Sequence, residues 1–182
     1  MKGASKVVTL SELNRMSPNE FSDTLAHIYE ESPWVAILTE KQRPYSSLAE
    51  LTEAMKKIVQ YSDREKKETL LNSHPRLGDR KQMSNDSVKE QKNAGLASLN
   101  DDEYELFLQL NHAYDEKFGF PFILAVKGKT KDEIQQAIHS RLQNGRDIEF
   151  ETALNEVFKI ASFRLQEKID TQNTEKAGEV KK

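Results

Sequence analysis

The sequence contains no cysteine. That excludes disulfides, thiolate metal sites and a cysteine nucleophile, and it fits a reducing compartment. Basic residues are not in excess. Lys and Arg number 27 against 30 Asp and Glu, for a formal net charge of -3 and a pI of about 5.9. A dedicated polyanion binder would show a basic patch and a high pI, so no nucleic-acid partner is expected. Long apolar runs are also missing. The longest, Phe118 to Val126, is broken by Gly119 and Pro121 and falls far short of the roughly 20 residues of a spanning helix. Val7, Val8 and Leu10 make too short a cluster for a signal-peptide core. The final Glu-Val-Lys-Lys is not a peroxisomal address. A cytoplasmic location without a membrane partner is therefore expected. No zinc-ligand spacing, Walker loop, dinucleotide fingerprint or nucleophile elbow occurs, and no internal repeat is evident.

What the sequence does contain is helix signals. With 182 residues, 36% hydrophobic and 31% charged, it favours one soluble domain with a sizeable core. Ser17-Pro18-Asn19-Glu20, Ser47 to Glu50, Ser62 to Glu65, Asn100 to Glu103 and Thr130 to Glu133 all read as helix starts with a capping box. Apolar residues then recur at spacings of three and four. Examples are Phe21, Leu25, Ile28 and Tyr29, and Leu48, Leu51, Met55 and Ile58. Leu10 to Met16 reads as a lead-in, and Ser32-Pro33 opens a short segment with Trp34, Ile37 and Leu38. The long pattern with Tyr104, Phe107, Leu108, Asn111, Tyr114 and Phe118 closes at Gly119. Phe120 to Val126 has strand propensity but no second strand to pair with, so it is expected to be a buried extended connector. Its backbone groups would need partners from other segments or from a ligand. The expected fold is all-α, a single-domain bundle of about eight or more helices over residues 1–169. Residues 170–182 are too polar to fold and are expected to be a tail or linker.

Asn72 to Leu96 stands apart. It begins as an irregular loop, Ser73-His74-Pro75-Arg76-Leu77-Gly78-Asp79, and continues as a polar helix from Asn85 to near Gly95. His74 sits in a loop, is restrained by Pro75 and can titrate near neutral pH. Its structural alternative is a helix-ending histidine bonded to a backbone carbonyl. Ser87, Glu90 and Gln91 share a helix face and together can grip a small ligand rich in amide groups. The alternatives are a capping box from Ser87 to Glu90 or a merely solvated face. Arg164 points between the directions of Val157 and Ile160. It either snorkels to water or is held in a pocket for an anion. His112 and His139 sit in helical patterns and read as surface residues, and His27 lies off its helix's apolar face.

In combination these motifs resemble one family. His74-Pro75, Ser87-x-x-Glu90-Gln91-x-x-Ala94-Gly95-Leu96, Phe118-Gly119-Phe120-Pro121-Phe122-Ile123 and Phe163-Arg164-Leu165 look like the OHCU decarboxylases. These are 2-oxo-4-hydroxy-4-carboxy-5-ureidoimidazoline decarboxylases of urate degradation. The resemblance covers about Leu10 to Ile169. Arg76-Leu77-Gly78 and Phe163 depart from common family forms without touching the key positions. The resemblance implies an all-α homodimer whose activity needs no metal or organic cofactor. It implies that His74, Glu90 and Arg164 are catalytic or anchor the substrate, and that Pro75, Ser87, Gln91, Phe122 and Ile123 line the pocket. The substrate would be the ureidoimidazoline and the product (S)-allantoin. Some family members are fused to urate oxidase, and the polar C-terminal end would suit a linker to, or association with, such a domain. The competing expectation is a non-catalytic helical interaction module, which would tolerate changes at His74, Glu90 and Arg164.

Overall fold

Capping side chains set where the helices begin. The computed structural model describes residues 6–171. Among them are nine α-helices: α1 (Leu10–Arg15), α2 (Pro18–Leu25), α3 (Pro33–Glu40), α4 (Leu48–Gln60), α5 (Arg64–Asn72), α6 (Asn85–Asn93), α7 (Asp101–Phe118), α8 (Lys131–Arg141) and α9 (Arg146–Lys168). Ser17, Asn100 and Thr130 each accept from the N–H three residues on, while Glu20, Glu103 and Glu133 bond back to the cap backbone. These are complete boxes, as expected. At Ser47 the box is displaced by one residue: the Glu50 carboxylate takes the N–H and hydroxyl of Ser46 instead. Thr9 and Glu12 form a further box, so the lead-in from Leu10 is itself helical.

The chain clusters into two compact units. One comprises Met1–Asp63 with Ile160–Lys182 and the other Arg64–Lys159, so the boundary falls within α9.

In the first unit, β1 (Val8–Thr9) pairs in parallel with β2 (Ile169–Asp170), Val8 opposite Ile169 and Thr9 opposite Asp170. The last helix therefore stops at Lys168 and the next two residues turn into a strand. The rest of the expected tail, residues 172–182, lies outside the described residues. Leu13, Phe21, Leu25, Ile28, Tyr29, Leu51, Met55 and Val59 are buried. In α3 the buried residues are Val35, Ala36 and Thr39, and the apolar Ile37 and Leu38 are 48% and 39% exposed.

In the second unit, α5 ends in the fully buried Leu70 and Leu71. The buried stripe of α7 is Phe107, Leu110, Asn111, Tyr114 and Phe118. Residues 120–126 are all buried and, among the described residues, belong to no strand. The extended connector is thus present as the sequence implies. Aromatic rings pack around it: Tyr114 lies 4.6 Å from Phe118 and 5.2 Å from Phe122, centroid to centroid, and Phe120 lies 5.9 Å from Phe150. Among the described residues no helix is long and apolar enough to cross a membrane.

Two stability measurements follow from this arrangement. Leu71 closes the helix that leads to His74, so Leu71→Ala is expected to cost about 2–5 kcal/mol in denaturant unfolding. In the capping boxes, bonds from Ser17, Thr130 and Thr9 hold the Glu20, Glu133 and Glu12 carboxyl groups below their ordinary value of 4.5. The folded chain thus binds those protons less readily than the unfolded chain. Their contribution is full above pH 4.5 and is lost as pH falls through the lowered values. The thermal midpoint should fall on acidification below about pH 4.5. Ser17→Ala should lower the midpoint at neutral pH and make that acid dependence shallower.

Candidate active site

The end of α5 fixes one imidazole. Pro75 disfavours helical geometry at His74, and the last carbonyls of α5 turn to side chains for partners. The Leu70 carbonyl accepts from the Ser73 hydroxyl at 2.7 Å and lies 2.9 Å from His74 Nδ1. A carbonyl oxygen only accepts, so Nδ1 carries the proton. In the neutral ring, Nε2 is then the nitrogen with the lone pair. His74 is 7% exposed. The carbonyl-bonded histidine weighed as a structural alternative is therefore present. Its bond is also what gives the ring a defined orientation and tautomer.

Three side chains hold the rest of the loop. Asn111 Nδ2 of α7 donates to the Leu77 carbonyl at 2.9 Å. Gln91 Oε1 of α6 accepts from the Gly78 N–H at 2.9 Å. Arg76 Nε donates to Asp115 Oδ2 at 2.5 Å. Gly78 itself has φ +76°, and a Cβ there would stand 3.1 Å from Leu99 Cδ1. The Gly78–Gln91 bond ties the face of α6 to the loop that carries His74.

That face differs from a solvated one. The cap of α6 is Ser84, which accepts from the Ser87 N–H, so Ser87 and Glu90 lie inside the helix and form no capping box at its start. Ser87 and Gln91 are buried and Glu90 is half-buried. The Ser84 hydroxyl donates to Ser87 Oγ at 3.1 Å, and Gln91 Nε2 sits 3.4 Å from Met83 Sδ. Gly95 follows at φ +81°, the left-handed geometry of a helix end. Pro75, beside His74, is half-buried.

Phe122 and Ile123 lie within the buried connector, at 0% and 3% exposure. Arg141 Nη1 of α8 donates to the Ile123 carbonyl at 2.5 Å, and Glu156 Oε2 of α9 accepts from the Ala125 N–H at 2.8 Å. Among the described residues, the N–H groups of Phe122 and Ile123 lie outside any strand ladder.

Arg164 lies on the part of α9 that belongs to the first unit. It does not snorkel. It is 6% exposed, and its Nη1 donates to Glu30 Oε2 at 2.9 Å and to the His27 carbonyl at 3.1 Å. Glu30, itself buried, holds the guanidinium in one orientation. His112 and His139 are exposed, His112 beside Glu116. Among the described residues no group of three or more His, Cys, Asp or Glu could hold a metal ion.

Sequence reading did not single out the supporting residues Glu30, Asp115, Arg141, Glu149 and Glu156. Asn111 and Tyr114 were visible only as members of an apolar stripe. The one usable signal was Asn111, a polar residue in that stripe. The loop geometry can be tested at Gly78. Gly78→Ala should cost at least about 1–2 kcal/mol through its left-handed backbone alone, measured by urea unfolding.

A family model described as OHCU decarboxylase matches residues 14–166. The chain is 52% identical over 157 residues to the uric acid degradation bifunctional protein PucL of Bacillus subtilis, covering 86% of this chain and 32% of that protein. It is 44% identical over 165 residues to the 2-oxo-4-hydroxy-4-carboxy-5-ureidoimidazoline decarboxylase of Haloferax volcanii, covering 91% and 98%. Thus the chain spans about a third of the bifunctional relative and nearly all of the Haloferax volcanii one. Among solved structures, a crystal structure of (S)-allantoin synthase superposes with TM-score 0.76 at 38% identity, covering 90% of this chain and 54% of that one.

Proposed function

The chain belongs to the OHCU decarboxylase family, and we propose that it decarboxylates 2-oxo-4-hydroxy-4-carboxy-5-ureidoimidazoline to (S)-allantoin. The observation that carries this reading is the His74 loop. A buried imidazole with Nδ1 committed to the Leu70 carbonyl carries its lone pair on Nε2. The same loop is tied through Gly78 to the polar face of α6.

Loss of CO2 breaks the bond between the carboxylate and the ring carbon. The bonding pair moves into the adjacent C=N bond of the ring. The carbon that lost CO2 becomes a carbonyl as its hydroxyl gives up a proton, and the neighbouring ureido-bearing carbon takes one proton from one side, which sets the hand of allantoin. Proton transfer by a positioned side chain contributes about 10²–10⁴-fold in rate. His74 fits that task through Nε2. Glu90 either steadies the imidazole further or handles the substrate hydroxyl, with Ser87 and Gln91 beside it on α6.

The Phe122–Ile123 peptide would offer its N–H groups to the polar edge of the substrate. The surrounding apolar wall would keep away water, a competing proton source. For Arg164 the role is carried by the resemblance: a planar, charged fork suits a planar anion. Glu30 holds that fork in one orientation. The fork meets either the departing carboxylate or a ring carbonyl, and too tight a grip on the carboxylate would stabilise the ground state and slow the reaction. No residue in this scheme requires a metal or organic cofactor. A homodimer in the cytoplasm, working beside or joined to a urate oxidase, completes the reading. The bifunctional relative in urate degradation supports the last point.

Substrate generated in the cuvette from urate tests the reading. The chain should speed the appearance of optically active allantoin, followed by circular dichroism, over spontaneous decay. No acceleration would sink the decarboxylase reading. His74→Ala should lower kcat by about 10²-fold or more. Full activity in that folded variant would remove His74 from the mechanism.

A further inference from the structure

The second unit contains a buried charged cluster to which the proposed chemistry assigns no part. Arg141 Nε and Nη2 both lie 2.5 Å from Glu149 Oε1. Glu149 Oε2 accepts from Asn144 Nδ2 at 2.9 Å, and Oε1 also accepts from the Tyr114 hydroxyl. Burial first, and then the Glu149 carboxylate, push the Tyr114 hydroxyl up from its ordinary value, so it stays protonated and donates. Glu149 is 0% exposed and Arg141 9%.

A buried ion pair is a poor means of gluing helices together, because apolar residues of similar volume do as well or better. Apolar residues cannot, however, donate to a buried carbonyl. Arg141 has donors left over from Glu149, and Nη1 reaches the Ile123 carbonyl at 2.5 Å. The same guanidinium lies 4.4 Å from the centroid of the Phe122 ring. One rigid, planar group therefore grips both residues of the Phe122–Ile123 peptide, the ring of one and the carbonyl of the other. Glu149, braced by Tyr114 and Asn144, sets the plane of that group.

We propose that Arg141, oriented by Glu149 and Tyr114, is a positioning residue that holds the Phe122–Ile123 peptide in register for the substrate. This rests on the decarboxylase reading, in which that peptide faces the substrate. Arg141 touches no reacting atom. Its effect passes through the Ile123 carbonyl and the Phe122 ring. Lysine cannot replace it, since a single ammonium cannot span Glu149, Tyr114 and Ile123 at once.

Two variants test the role, with the intact chain and substrate generated from urate. Arg141→Lys keeps the charge but loses the fork. Tyr114→Phe keeps the ring but loses one brace of Glu149. Both are first checked for fold by far-ultraviolet circular dichroism, and kcat is measured well below the thermal midpoint. Arg141→Lys should lose about tenfold or more in kcat, the scale on which small misplacements act. It should also give a lower optical purity of allantoin, because a loosened peptide no longer presents one face of the ring to the proton donor. Tyr114→Phe should show a smaller loss in the same direction. A purely structural role would lower the melting temperature and leave product chirality untouched. Wild-type kcat with wild-type optical purity in a folded variant overturns the role. If Arg141→Lys does not fold, Tyr114→Phe decides alone. A wild-type chain that makes no optically active product overturns the decarboxylase reading and this role with it. An active wild type with fully active variants overturns this role alone.

Discussion

A peptide buried outside any helix or sheet must still find partners for its N–H and C=O groups. Residues 120–126 face that constraint in the middle of a helical unit. Leaving one such group unpaired costs about 1–3 kcal/mol, so neighbouring helices must send polar atoms inward. Charged side chains answer: Arg141 from α8 to the Ile123 carbonyl and Glu156 from α9 to the Ala125 N–H. These charges then need partners of their own, since removing one member of a buried pair costs about 3–5 kcal/mol. Glu149 serves Arg141 within the core, and Lys159, itself largely exposed, reaches Glu156 at 2.5 Å from the surface. The need of one extended strip thus propagates into polar positions on two helices, α8 and α9.

The loop that carries His74 is governed by the same rule. Its backbone is irregular, yet its polar groups are claimed by side chains from α6 and α7. Gly78 takes the left-handed geometry that lets the chain pass close to Leu99 and Phe107. The consequence is that a loop histidine takes a defined orientation. The Leu70 carbonyl ends α5 and selects the tautomer of His74 in a single bond.

Burial also decides the character of the remaining polar residues. Ser87 and Gln91 are polar residues on a polar helix, yet both are enclosed. Arg164 is enclosed together with Glu30. Each of these residues carries a desolvation cost that an exposed residue would not. Their hydrogen bonds offset that cost, and those bonds leave them little freedom to reorient. Fixed donors and acceptors of this kind are what a site needs to recognise one ligand pose.

Local chemistry was readable from the sequence. Ser17, Asn100 and Thr130 start helices because their side chains reach a nearby N–H, and that geometry needs no tertiary partner. The connector at 120–126 was readable because an apolar run interrupted by Gly119 and Pro121 suits neither a long helix nor a solvated loop. His74, Glu90 and Arg164 were named through motif combination, with periodicity supplying only their local setting. What remained hidden depended on long-range contacts. The displacement of the Ser47 box onto Ser46, the strand at Ile169–Asp170 and the exposure of Ile37 and Leu38 each depend on packing. The sequence by itself determined most of the helices and the caps at Ser17, Asn100 and Thr130, because those follow from interactions within about four positions. Only the tertiary structure decided that Ser87 and Gln91 are buried, that Glu30 partners Arg164 and that Arg141 and Glu149 grip the connector. Those outcomes join residues from 8 to 134 positions apart, where no local spacing rule applies and only burial selects the partner.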